Sequence, residues 1–292
     1  MHIRVLGSAA GGGFPQWNCG CPNCELVRRG TDRTEARTQD SIAVRGDGPD
    51  VVLVNASPDL LTQIARTKEL WPRAPRHSPI RAIVLTNGDM DHVLGLFSLR
   101  ESYPLTLYAT APVYRGLAEN NALFRTLQRF EGHLTWKELT LDRAQDLGDG
   151  LVMTPFAVPG KLPVHLMNRR AACAEDNVGL VFESRGRRAV YCAAAGAVGP
   201  YAARLESADV VLFDGTFWSA DELVRLGLST ARAEDMAHVP VQGTLGAFAT
   251  TKRRVYTHIN NSNPILVRGT DERAAVEAAG WEVAYDGMEI FP

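Results

Sequence analysis

The segment Thr86-Asn87-Gly88-Asp89-Met90-Asp91-His92 brings two carboxylates and an imidazole together just after an apolar run. Hard oxygen donors beside an imidazole suit Zn, Fe or Mn better than Ca, which favours oxygen ligands alone. Asp89 or Asp91 could instead cap a following helix, and His92 could simply pack. Two later segments bear on the choice. Val210-Val211-Leu212-Phe213 ends in Asp214-Gly215-Thr216, and Arg254-Val255-Tyr256-Thr257 ends in His258. Three apolar strands that each end in a metal-capable residue point to a functional metal centre rather than to three unrelated turns.

A second cluster is chemically different. Cys19-Gly20-Cys21-Pro22-Asn23-Cys24 offers three thiolates on a tight loop, preceded by Gly11-Gly12-Gly13-Phe14-Pro15. Tetrahedral Zn is the natural partner, in a structural role. A histidine or an acidic side chain from elsewhere is the expected fourth ligand, and Asn261 is a poor one. Buried or redox-active cysteines are the alternative. Cys173 and Cys192 stand apart. An odd total of five, clustered in this way, does not resemble a secreted disulfide framework.

The elements that must position these groups are short. Met1–Leu6, Val51–Val54, Ile80–Leu85, Leu105–Tyr108, Leu151–Ala157, Val178–Glu183, Ala189–Cys192, Val210–Phe213 and Arg254–Thr257 read as strands. Helices are expected over Asp91–Leu99, Pro112–Asn120, Val239–Ala249 and Glu272–Ala279, the last ended by Gly280. Arg66–Pro79 and Arg169–Asp176 read as loops. The tail suggests a hairpin, Val283–Tyr285 and Met288–Phe291 around Asp286-Gly287. Early strands are expected to pair locally and later ones to alternate with helices, giving layered α/β architecture. One domain over residues 1–292 is expected, with the cysteine-rich zinc loop at about residues 14–26.

Composition narrows the function classes. Of 292 residues, 45% are hydrophobic and 22% charged, and the net charge of −2 gives no electrostatic reason to expect nucleic acid. No apolar run reaches the roughly 18 to 20 residues of a membrane span. The opening residues are interrupted too early by Gly and Ser for a signal peptide, so a cytoplasmic location is expected.

The order strand, T-x-x-x-x-D-H, helix, then a Pro-Gly loop, a strand-end Asp and a strand-end Thr-His resembles the metallo-β-lactamase superfamily. That resemblance implies an αββα four-layer sandwich. It also exposes departures. The superfamily loop is T-H-x-H-x-D-H, whereas Asn87 and Asp89 stand at the first two histidines here, and Lys161 of Pro159-Gly160-Lys161 stands at the next. The imidazoles of the first metal position are missing. The ligands of the second, Asp91, His92, Asp214 and His258, are in place. One metal is implied, with Asp89 as an extra ligand, and two-metal hydrolysis is put in doubt.

The glycine and cysteine stretch, T-N-G-D-M-D-H, Phe213-Asp214-Gly215-Thr216-Phe217-Trp218 and Thr257-His258-Ile259-Asn260-Asn261-Ser262-Asn263-Pro264 together resemble the PqqB family of pyrroloquinoline quinone (PQQ) biosynthesis, along the whole chain. The resemblance implies a cytoplasmic protein that meets PQQ or its crosslinked Glu-Tyr precursor. A His/carboxylate set on one metal favours Fe(II), with Mn or Zn as alternatives, and iron-dependent hydroxylation of the tyrosine-derived ring. Carriage of PQQ or its precursor towards the periplasm and residual hydrolysis are the competing readings. Lys161 and His165 are candidates for binding substrate carboxylates or moving protons, and Arg169 and Arg170 for meeting an anionic tricarboxylate. A surface lysine and a packed histidine are the plainer readings of the first two. Trp17, Phe217 and Trp218 read as core rather than as an aromatic pocket. A homodimer is left open.

Overall fold

The computed structural model describes residues 1–101, 103–119 and 121–292. Chain order runs straight across two seven-stranded sheets. The first sheet contains β1 (His2–Gly7), β2 (Ser41–Arg45), β3 (Val51–Val54), β4 (Ile80–Val84), β5 (Leu105–Ala109) and β6 (Leu134–Glu138). The second contains β7 (Gln145–Asp146), β8 (Val152–Ala157), β9 (Val178–Ser184), β10 (Arg187–Cys192), β11 (Val210–Asp214), β12 (Arg253–Thr257) and β13 (Trp281–Val283). The last strand, β14 (Glu289–Ile290), returns to the first sheet beside β1.

Both sheets are mixed. β1 to β3 pair antiparallel and β3 to β6 parallel. β7 to β10 pair antiparallel and β10 to β13 parallel. Local pairing and helical crossovers thus occur in each half of the chain, not in succession as the element order suggested. The parallel parts need crossovers. In chain order the helices are α1 (Pro22–Arg28), α2 (Leu60–Arg66), α3 (Met90–Val93), α4 (Ala111–Ala118), α5 (Ala202–Glu206), α6 (Glu222–Arg225) and α7 (Asp271–Ala278). Among the described residues, no helix is long and apolar enough to cross a membrane.

Three apolar clusters follow from this layering. Val54, Val84, Leu180, Tyr191 and Leu212 pack between the sheets. Leu53, Ile83 and Leu107 face Leu60 and Val113 of α2 and α4. Val190, Val211 and Tyr256 pack with Val276 and Trp281. Strands covered on both faces carry unbroken apolar runs, which is why β3, β4 and β11 were legible as buried strands. The result is the expected α/β sandwich, two sheets with helices outside.

Several elements differ from expectation. The helix after the metal loop is one α turn, Met90–Val93, continued as a 3₁₀ turn over Leu94–Ser98. Val239–Ala249 is not a helix. It holds a 3₁₀ turn at Val241–Gly243 and further turns, in keeping with its two glycines, Gly243 and Gly246. The expected helix end at Asn120 lies outside the described residues. The tail forms no hairpin, because β13 pairs with β12 and β14 with β1 in the other sheet. Asp286 explains the crossing. Its Oδ1 accepts from Ser8 N and Oγ, and its Oδ2 from Thr38 N and Oγ1, which fastens the Asp-Gly turn between the sheets.

Candidate metal centres

Strands β4 and β12 lie in different sheets, yet their C-terminal loops meet. Asp91, His92 and His258 place one carboxylate oxygen and two ring nitrogens within 4.8 Å of one another. His258 Nε2 lies 3.2 Å and His92 Nε2 3.7 Å from Asp91 Oδ2. The two rings stand edge to face at 83°. Both histidines are buried.

Two threonine hydroxyls set the imidazole tautomers. Thr216 Oγ1 donates to Asp214 Oδ1 at 2.6 Å, so towards His258 Nδ1, 2.9 Å away, it acts as acceptor. His258 then carries one proton on Nδ1, which leaves Nε2, facing Asp91 Oδ2, as the atom that takes either a second proton or a metal. Thr86 repeats the arrangement. Its hydroxyl donates to Asn55 Oδ1 at 3.0 Å and accepts from His92 Nδ1 at 3.3 Å. His92 Nε2 is consequently a buried acceptor with no hydrogen-bond partner. An orphaned imidazole nitrogen beside a carboxylate is what a metal ion would satisfy. Backbone strain accompanies the arrangement, since Asn55 and His258 adopt left-handed φ values of 63° and 53°.

The electrostatics agree. Burial works against the charged form of His258, but Asp91 outweighs it and raises His258 to about 9. Burial also penalises ionised Asp91, yet His92 and His258 hold its carboxyl well below the usual range. The carboxylate thus draws a cation, proton or metal, into this space.

Asp214 belongs to a second group with His238 and the shared His258. Its Oδ2 accepts from Ala195 N at 2.8 Å and His238 Nδ1 at 2.6 Å, and its Oδ1 from Thr216 N and Oγ1. With four donors already on it, Asp214 orients Thr216 and His238. Nothing in the sequence pattern points to His238. It sits on an irregular segment with no periodicity, and only its imidazole could have drawn attention to it. Asp89 takes the N-cap position of α3 without a side-chain cap bond and joins neither group. Lys161 is half-buried, and His165 is exposed beside the metal loop, its ring 4.0 Å from where a Cβ on Gly88 would lie. Phe217 is buried against His238, whereas Trp17 is 86% exposed and not part of a core.

Cys19, Cys21 and Cys24 form the other centre, buried and unoxidised. Burial chiefly pushes the Cys24 thiol up to about 12, which a bound cation would reverse. Among the described residues no His, Asp or Glu joins the three thiols. The Asn261 side-chain amide takes that corner, its nitrogen 3.2, 3.6 and 3.4 Å from the three sulfurs. Amide nitrogen and oxygen exchange by a half-turn, which would present the carbonyl oxygen as fourth ligand. The set therefore fits Zn.

Residues 51–259 match the beta-lactamase superfamily domain. Coenzyme PQQ synthesis protein B of Cupriavidus necator is 48% identical, over 99% of this chain and 98% of that one. Its counterpart in Methylobacterium radiotolerans is 45% identical, over 99% of both. The crystal structure of Zn(2+)-bound PqqB from Methylobacterium extorquens superposes with a TM-score of 0.95 at 41% identity, covering all of both chains. By fold, by identity along its length and by the motifs at both centres, the chain belongs to the PqqB family of the metallo-β-lactamase superfamily.

Proposed function

We propose that this protein acts in PQQ synthesis, in the cytoplasm, as an Fe(II)-dependent hydroxylase of the tyrosine-derived ring of the crosslinked Glu-Tyr precursor. The observation that carries the reading is the Asp91/His92/His258 group, two Nε2 lone pairs and one carboxylate on one side of a site. Such a triad leaves coordination positions open, and Fe(II) held there supplies activation of O₂. Mn or Zn would fit the same donors without the same redox chemistry.

The chain's own residues supply the rest. Thr216 and Thr86 keep both imidazoles in the ligating tautomer. The glycine segment closes over Asp91, since a Cβ on Gly11 would lie 3.3 Å from its Oδ2. A cleft of about 960 Å³ adjoins the metal loop at Met90, with Leu94 and Leu166 as apolar wall and Arg115, Arg169 and Arg170 as cations. Arg170 is already paired with Asp176. Arg115 and Arg169 are therefore the better partners for precursor carboxylates, with His165 at the same wall. The cysteine centre holds structural Zn and touches no substrate.

The test is mass analysis of precursor incubated with Fe(II)-loaded protein in air and without it. Gain of oxygen only in air, lost in the His92→Ala and His258→Ala variants, is the expected result. Unchanged precursor would point to a carrier, and cleavage in both atmospheres to a hydrolase; either overturns hydroxylation.

A further inference from the structure

Away from both metal centres, a cavity of about 170 Å³ is lined by four arginines, Arg33, Arg37, Arg268 and Arg273, with Tyr285 at its rim. Glu35 is the one carboxylate among its described lining residues. It serves both Arg268 at 3.3 Å and Arg37 at 3.8 Å. Arg273 pairs outward with Glu277. With Asp286, which also acts on Arg37, three carboxylates thus face four guanidinium groups.

Many donors remain unused. Arg33 bonds Arg268 O through Nε alone, Arg273 uses Nε and Nη1, and Arg268 uses its two Nη atoms. Among the described residues, both Nη atoms of Arg33, Nη2 of Arg273 and Nε of Arg268 have no hydrogen-bond partner. Arg37 forms the floor. It is 6% exposed, and its Nε is buried without a partner. Burial lowers it to about 10, with Arg273 and Arg268 acting in the same sense against Glu35 and Asp286. Gathering like charges around the buried Arg37 guanidinium is costly unless an anion offsets them. The guanidinium groups of two chain segments, residues 33–37 and 268–273, converge on one cavity. That suits a tetrahedral oxyanion better than one planar carboxylate, which a single guanidinium fork can saturate.

We propose that this pocket binds a multivalent oxyanion of the phosphate class, as free phosphate or as the phosphoryl group of a small metabolite. The site is separate from the reaction but tied to the zinc loop. Arg37 exchanges two backbone hydrogen bonds with Phe14 at the head of that loop, and Arg268 closely follows Asn261 in the chain.

Calorimetric titration of metal-loaded protein at low ionic strength tests it, with inorganic phosphate, glycerol phosphate and citrate as probes. One saturable site for a phosphate probe is expected, weakened roughly tenfold or more by Arg33→Ala or Arg273→Gln. Tighter binding of the ester would identify a phosphorylated metabolite, tighter binding of phosphate the free ion. Arg37→Met would remove the floor. Because a buried change can impair folding, the exposed Arg33→Ala and Arg268→Ala variants keep the test decisive. No saturable phosphate binding, binding of citrate alone, or phosphate affinity unchanged in the rim variants overturns the proposal.

Discussion

At the scale of single residues, His92 and His258 depend on hydroxyl groups rather than on carboxylates for their tautomers. Thr216→Val keeps the shape and deletes the acceptor for His258 Nδ1 and one donor to Asp214. Metal affinity at the Asp91 centre should fall roughly 10- to 100-fold, as for other partners of ligating side chains. Competition against a calibrated chelator measures it, and an unchanged affinity would remove Thr216 from the account. Asn261→Ala should likewise release zinc from the cysteine centre faster under EDTA, read with a colorimetric zinc indicator; equal release rates would mean that the amide only packs there. Asp91, His92 and His258 were legible in the sequence because each follows an apolar strand run. His238 was not, because it lies on an irregular segment. Asn261 is a poor zinc ligand by residue type, yet the geometry places its amide against all three sulfurs.

Elements here are short, and side chains fasten them. Glu222 at the start of α6 accepts from Trp218 N and from Ser262 Oγ, one residue beyond Asn261, and so ties α6 to the loop that carries His258 and Asn261. It is buried, and burial pushes its carboxyl from the ordinary 4.5 up to about 7. The sign follows from linkage. A folded-state value raised above the unfolded one gives stability that is fully present below pH 4.5 and is lost as pH rises through 7. The loss is on the order of 3 kcal/mol between those limits. Urea unfolding at pH 5 and pH 8 should show the wild type weakening with pH relative to Glu222→Gln, and parallel behaviour of the two would contradict it. Apolar runs recovered strands such as β9, buried without a break over Val178–Phe182, and β11, buried throughout, and periodicity recovered helix α7, which Gly280 ends. It failed at Val239–Ala249, where glycines interrupt an apolar segment whose burial is satisfied by turns. It failed again at the tail, where a local turn signal was overridden by the pairing of each flank with a different sheet.

Across the whole molecule, the two sheets are joined by a buried polar chain at the end where His92 and His258 meet. From His92 it runs through Thr86 to Asn55, from Asn55 Nδ2 to Tyr191 Oη at 3.2 Å, and from Tyr191 to Asp40. Asp40 Oδ1 also accepts from Thr257 Oγ1 at 2.6 Å, next to His258. Asp40 is fully buried, and burial raises its carboxyl despite the hydrogen bonds from Thr257 and Tyr191. Such a network is stable only when every member is satisfied. Its two ends touch the loops that carry His92 and His258, so it can fix their separation across the sandwich. Two substitutions separate the roles. Tyr191→Phe removes one donor to Asp40 and one acceptor of Asn55, and should cost about 1 to 3 kcal/mol of stability. Asn55 Oδ1 would still receive both Thr86 N and Oγ1, so metal affinity should change little. Asn55→Ala should instead free Thr86 to swing away from His92 and lower metal affinity roughly tenfold or more. Paired urea titrations and metal competition on both variants decide the matter. Equal metal affinity in the two would mean that the chain supports the sandwich but does not position its ligands.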